Sequence, residues 1–178
     1  MMFDSFEKSA FAGCRQVEPD YSDFDSICGS AQHEPFSYRD AELIAKAIAQ
    51  LHGVARIDLY GSIARHHVGN DIDLLIVVKD ESLYDQFVKG VNDILNDKPP
   101  LLCPGYYARQ CAIKAIWKNF PVADAILPHR SDASEYLDMF VMPQNWRSRI
   151  EEIQGNLPHD DPQFVHNISK DAYLLASP

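Results

Sequence analysis

Two aspartates separated by one residue, Asp71 and Asp73, follow a Gly61-Ser62 pair within the stretch Ile57 to Val78. That stretch reads Ile-Asp-Leu-Tyr-Gly-Ser-Ile-Ala-Arg-His-His-Val-Gly-Asn-Asp-Ile-Asp-Leu-Leu-Ile-Val-Val. A glycine at a strand end lets the backbone turn sharply and come close to a ligand. If a helix begins there, the free N–H groups of Gly61, Ser62 and Ile63 converge on one point that suits a phosphate. The Ser62 hydroxyl is a further donor. In an extended segment alternate side chains share a face, so Asp71 and Asp73 project together while Ile72 and Leu74 turn to the core. Two carboxylates so placed repel unless a cation lies between them. Mg²⁺ takes one or two carboxylates and completes its shell with phosphate oxygens. Two such ions about 3.5–4 Å apart activate an attacking oxygen and stabilise a leaving one. The expected chemistry is metal-assisted transfer at phosphorus.

The elements that must position these groups follow from pattern. Ser37 to Gly53 reads as a helix: Ser37 caps it, Asp40 gives a shortened capping box, and Ile44, Ala47, Ile48 and Leu51 form its apolar side, with Gly53 at the C-terminal turn. Val54–Tyr60 is expected as a first strand, Ser62–His67 as a short helix and Asp71–Lys79 as a second strand buried on both faces. Arg65, one turn into the short helix, reaches either a phosphate or an acid of the fold. The adjacent His66 and His67 diverge on a helix and do not share an ion. Leu83, Phe87, Val91, Ile94 and Leu95 give a second long helix, started by Asp80 and Ser82. Asp97–Tyr107, with Pro99-Pro100 and Pro104-Gly105, reads as a loop. It ends in Tyr106 and Tyr107, which either pack or stack on a base. Ala108–Asn119 is expected to be helical, with Ile113, Ile116 and Trp117 inward and Lys114 and Lys118 outward. Phe120–Leu127 is expected as a third strand, Ser134–Phe140 and Gln144–Ile153 as helices split by Pro143, and the tail from Phe164 as a short helix or turn followed by a last strand.

The run Tyr60-Gly61-Ser62-Ile63-Ala64-Arg65 followed by Asn70-Asp71-Ile72-Asp73-Leu74 resembles the signature of the DNA polymerase β-like nucleotidyltransferase superfamily. It is nearest to minimal nucleotidyltransferases and aminoglycoside nucleotidyltransferases. The resemblance covers about 55–127, with a weaker echo in Asn167–Ala176. It implies an α/β (α+β) fold, a small mixed twisted sheet with helices mainly on one face. It implies transfer of a nucleoside monophosphate from a nucleoside triphosphate, expected to be ATP, to an acceptor hydroxyl, with release of pyrophosphate. Gly61, Ser62 and Arg65 would bind the nucleotide, and Asp71 and Asp73 would hold two Mg²⁺ ions. The family's third carboxylate, on a later strand, would be Asp124. His66 stands where relatives often carry glycine.

Charge narrows the acceptor. The chain has 178 residues and a net charge of −10. Residues 1–36 carry seven acids and two bases, 37–128 eleven and ten, and 129–178 eight and four. A chain that grips nucleic acid shows a basic stripe, and this one has none, so a protein or a cationic small molecule is the expected acceptor. Residues 1–36 read as an acidic arm ahead of a domain at 37–178, either decorating the surface or contacting a partner or substrate. The four cysteines suggest free thiols and a cytoplasmic protein. The start shows no secretory pattern and no apolar run is long enough to span a bilayer. The competing reading is a module of the same fold that no longer catalyses and acts through protein contacts. Oligomeric state is not legible.

Overall fold

The computed structural model describes residues 34–97, 104–157 and 161–178. Its centre is a four-stranded mixed sheet in the order β5-β4-β2-β6, with β2 Val54–Leu59, β4 Ile72–Val78, β5 Leu137–Pro143 and β6 Tyr173–Ala176. β2 runs antiparallel to β4 and β6, whereas β4 and β5 are parallel. All seven residues of β4 are buried, so both of its faces are covered, as the unbroken apolar run requires. A two-stranded ladder, β1 Phe36–Ser37 with β3 Val68–Gly69, stands apart from this sheet.

Seven α-helices accompany the sheet among the described residues. α1, Tyr38–Ala49, begins with both capping-box bonds: Asp40 N–H donates to Ser37 Oγ at 3.3 Å, and Ser37 N–H donates to Asp40 Oδ2 at 2.8 Å. Its buried residues, Ala41, Ile44, Ala45, Ile48 and Ala49, pack on β2 and β6. The helix ends at Ala49, and Gly53 lies beyond it at φ 81°, turning the chain into β2. α2 is Gly61–His66 and α3 is Glu81–Asp97, whose buried stripe is Tyr84, Phe87 and Val91. α4 spans Pro104–Ile116. It therefore starts inside the segment expected to be a loop, because Pro104 occupies a first helical position, where a missing N–H is harmless. α3 and α4 approach closely where Gly90 faces Ala112: a methyl on residue 90 would lie 3.3 Å from Ala112 Cβ. These two helices lie in the connection that parallel strands β4 and β5 require.

Two expectations fail between 120 and 143. Phe120–Leu127 is not a strand. Ala123–Ile126 forms the short helix α5, with Val122 as its N-cap. Ser134–Phe140 is not a helix either: a 3-10 turn, Ala133–Tyr136, leads into β5, and Pro143 is the last residue of that strand. Alanine, aspartate and isoleucine permit a helical turn, while tertiary pairing with β4 extends Leu137–Pro143. After a second 3-10 turn at Trp146–Arg149 come α6 Ile150–Asn156 and α7 Phe164–Asp171, then β6. Phe36, the last residue of the expected arm, is fully buried, and its ring lies 6.0 Å from that of Tyr136. Residues 1–33, most of that arm, lie outside the described residues, as does much of the 97–107 loop. No helix among the described residues is long and apolar enough to cross a membrane.

Candidate active site

β2 delivers the turn. After Leu59 the chain passes through extended Tyr60, whose N–H donates to the Asp73 carbonyl at 3.1 Å, into Gly61 at φ 75°. That left-handed conformation favours glycine. Contact imposes a second demand, because a Cβ on Gly61 would overlap the Asp73 carboxylate oxygen Oδ2. The missing side chain therefore lets the turn and the carboxylate share one place. α2 starts at Gly61, and Tyr60 gives its first N–H groups no side-chain cap. The Ser62 hydroxyl oxygen is buried without a hydrogen-bond partner among the described residues. It sits against Gly69, where a Cβ would collide with it.

The short helix is closed by His67, which caps it at φ 62°. The histidine carbonyl accepts from Tyr38 N–H at 2.9 Å, and its ring meets Tyr38 edge-on with centroids 5.8 Å apart. His67 is thus a structural hinge between α1, α2 and β3. Pairing of Phe36 with Gly69 and of Ser37 with Val68 ties the segment ahead of α1 to the same turn.

β4 and β5 supply the carboxylates. Asp71 is exposed just ahead of β4, and Asp73 is 8% exposed within it. In the parallel register Asp73 lies level with Asp138, and Ile72 with Leu137. Neighbouring strands are about 4.8 Å apart, so these two acids are cross-strand neighbours. Burial, then Asp71, then Asp138 push the Asp73 carboxyl well above the ordinary carboxylate range, against the opposing pull of Arg65 and Arg109. The Tyr60 phenol is fully enclosed in the same field. Burial raises it first, and Asp138 and Asp73 add to that. Its hydroxyl has no hydrogen-bond partner among the described residues.

Two arginines temper this negative charge. Arg65 forms an ion pair with Asp171 of α7 at 2.6 Å, so it pairs with an acid of the fold. Arg109, on α4, donates to Asp138 Oδ1 at 3.2 Å. Asp138 and Arg109 are the site residues that sequence reasoning missed.

Asp124 is not brought to this group by a strand. It lies on α5, which packs against α1 and the Ala133–Tyr136 turn, and its Oδ1 accepts from Ser134 N–H at 2.7 Å. The carboxylate beside Asp73 on a neighbouring strand is Asp138 instead. Tyr107 is buried, and Tyr106 donates to the carbonyls of Glu135 and Leu137 at 3.0 and 3.3 Å, so both tyrosines pack. Lys114 and Lys118 are exposed.

Residues 41–127 match the family model of the nucleotidyltransferase domain. The chain carries a nucleotidyltransferase domain. The match includes the Gly61-Ser62 turn and the Asp71/Asp73 pair, and it ends ahead of β5. No curated protein and no solved structure matches the chain.

Such domains use a nucleoside triphosphate and a divalent ion, and the residues here fit that pair. Adjacent carboxylates flank a turn whose glycine is kept bare by Asp73, and a buried serine hydroxyl there lacks a partner. Among the described residues, no three acidic, histidine or cysteine side chains are gathered closely enough to hold a metal ion by themselves. Asp138 is engaged with Arg109.

Proposed function

We propose that the protein transfers a nucleoside monophosphate from a nucleoside triphosphate, with ATP the expected donor, to a hydroxyl of a protein or cationic small molecule, releasing pyrophosphate. The observation that carries this reading is the overlap of turn and carboxylate: only a bare Gly61 lets a phosphate-binding turn stand against Asp73. Asp71 and Asp73 would hold Mg²⁺, with Asp138, rather than Asp124, as the third carboxylate. A metal held by these residues would neutralise phosphate charge and activate the acceptor oxygen.

The chain's own residues do the positioning. The first N–H groups of α2 and the Ser62 hydroxyl take phosphate oxygens, the donors that a triphosphate needs and that the fold leaves uncapped. Arg65, anchored by Asp171, adds positive charge near the same turn. Tyr60, buried against Phe164 with ring centroids 6.3 Å apart, lies in the field of Asp73 and Asp138. Asp138, once released from Arg109, would face the acceptor and take the hydroxyl proton. The acidic flanks favour a basic acceptor surface.

Incubation of the protein with labelled ATP, Mg²⁺ and a lysate tests this. A labelled protein band or a labelled small molecule, lost in Asp73→Asn, is the expected result. No transfer from any of the four nucleoside triphosphates would refute it, and would favour a binding module that retains the fold without the reaction.

A further inference from the structure

Arg109 is 6% exposed, an unusual depth for a guanidinium. Its Nη2 lies 3.2 Å from Asp138 Oδ1 and 3.5 Å from Oδ2, and its Cζ sits 4.2 Å from the centre of the Phe140 ring. Its Nε is buried with no hydrogen-bond partner among the described residues. The arginine is therefore held by one carboxylate and one aromatic face, with one of its donors unused. Burying a charge on those terms is costly unless something nearby requires it.

The requirement is next door. Asp138 is level with Asp73 on the adjacent strand, and Asp73 follows Asp71 by two residues. Asp73 is buried, Asp138 half-buried and Asp71 exposed; neighbouring carboxylates repel one another, and a cation relieves that repulsion. The helix bearing Arg109 is fastened to the same strand start. Tyr106 donates to the Leu137 carbonyl at 3.3 Å and Gln110 donates to it at 2.5 Å. Residues 106, 109 and 110 share one face of α4. That face holds the backbone at Leu137 and the side chain of Asp138 together.

We infer that Arg109 is the resident counter-ion of the carboxylate cluster: it occupies Asp138 when no metal is bound, and a divalent ion must take Asp138 from it. Arg109 is then a positioning residue that sets how tightly the site takes metal. The inference rests on the nucleotidyl-transfer reading for the presence of a metal, and it adds a competitor that the reading lacks. Phe140 gives the released guanidinium a place to stay, since the ring contact does not depend on Asp138.

The test measures Mn²⁺ binding by electron paramagnetic resonance, and melting temperature in chelator and in saturating Mn²⁺, for wild type, Arg109→Met and Arg109→Lys. Methionine keeps the packing on Phe140 and removes the charge. Arg109→Met should bind Mn²⁺ about tenfold more tightly, the size of one buried pair's coupling. It should also melt below wild type in chelator, with the deficit shrinking when Mn²⁺ saturates. Arg109→Lys keeps the charge and should stay close to wild type in both. A purely structural arginine would give the same melting deficit with and without metal. Should Arg109→Met fail to fold, Arg109→Gln carries the same comparison. If wild type takes up Mn²⁺ and the neutral variant binds it no more tightly, the exchange is refuted and the nucleotidyl-transfer reading stands. If neither takes it up, the exchange is refuted, and labelled-ATP transfer by itself decides the nucleotidyl-transfer reading.

Discussion

Gly61→Ala separates the two demands made on that glycine, and Gly53→Ala is its control. Both residues are left-handed, at φ 75° and 81°. A Cβ in that region costs about 1–2 kcal/mol in either place. At residue 53 the added methyl would meet the Leu83 Cδ1 at 2.5 Å, the free end of a half-buried side chain that can rotate away. At residue 61 it would meet the carboxylate of Asp73, which is short, buried and fixed in β4. Overpacking of that kind adds about 1–3 kcal/mol if the carboxylate stays, giving a total of about 2–5 kcal/mol. If instead Asp73 swings aside, the stability loss falls back to that of Gly53→Ala, but the carboxylate leaves the turn. A displacement near 1 Å costs about 10²-fold in rate. For a domain of this size 1 kcal/mol lowers the melting temperature by about 2–4 °C. Gly53→Ala should therefore melt a few degrees low with normal nucleotide transfer and Mn²⁺ binding. Gly61→Ala should melt well below Gly53→Ala if the carboxylate stays, or lose transfer by about 10²-fold if it swings aside. Scanning calorimetry, Mn²⁺ titration and labelled-ATP transfer read the two variants side by side. Wild-type transfer by Gly61→Ala together with a melting temperature equal to that of Gly53→Ala, or equal inactivity of Gly53→Ala, would refute the shared place of turn and carboxylate.

Three further outcomes follow from the site. Asp73→Asn should lose transfer by orders of magnitude yet melt no lower than wild type, because it removes one member of a buried like-charge group; thermal melting beside the transfer assay checks both. Asp138→Asn should abolish transfer, whereas Asp124→Ala should keep it and lose about 1–3 kcal/mol in a denaturant titration, since Asp124 satisfies the Ser134 N–H; the reverse pattern would restore Asp124 as the third carboxylate. Deleting residues 1–33 should leave the melting temperature nearly unchanged, while deletion through Ser37 should cost about 4–6 kcal/mol by removing a buried phenylalanine and a helix cap; equal melting of the two truncations would show that Phe36 and the cap contribute little.

The centre of the fold was legible because its signals are local. Ser37 and Asp40 cap a helix whose apolar residues keep helical spacing, and Ile72–Val78 is an unbroken apolar run of strand length. The turn beside Asp73 was legible for the same reason, since Gly61-Ser62 and Asp71-x-Asp73 lie within one short stretch. Residues 120–143 were not. Phe120–Leu127 is a short apolar run that periodicity cannot assign, and placing its lone acid between two alanines made Asp124 look like a strand carboxylate. The signal that would have separated it from Asp138 is a comparison between strands. Ile72-Asp73-Leu74 and Leu137-Asp138-Met139 have the same apolar-acid-apolar form, and each opens a run of apolar residues. In the fold they stand in register, Ile72 with Leu137 and Asp73 with Asp138. The helix expected over Ser134–Phe140 hid that match, because pairing with a distant strand, not local propensity, extends this segment.

Arg109 stands out only once its position on the helix is counted. Ile113 and Ile116 were assigned to the inner side of α4, and residue 109 precedes them by four and seven positions, which puts it on the same stripe. Ala108, Ala112 and Ile113 are buried around it, so the guanidinium occupies a position that helix periodicity reserves for an apolar side chain. Such a residue is tolerated only where an opposite charge meets it, and in this chain the opposite charge lies one strand away from Asp73. An arginine on an apolar stripe is thus itself a pointer to a neighbouring acid, and an acid near the start of an apolar strand is a pointer to a neighbouring base. Taken together, the two anomalies locate Asp138 and Arg109 from the sequence, without any help from the turn. They also explain why this site has to be built from both charges. Asp73 and Asp138, level on neighbouring strands, would oppose the pairing of β4 with β5, and Arg109 beside Asp138 offsets that repulsion.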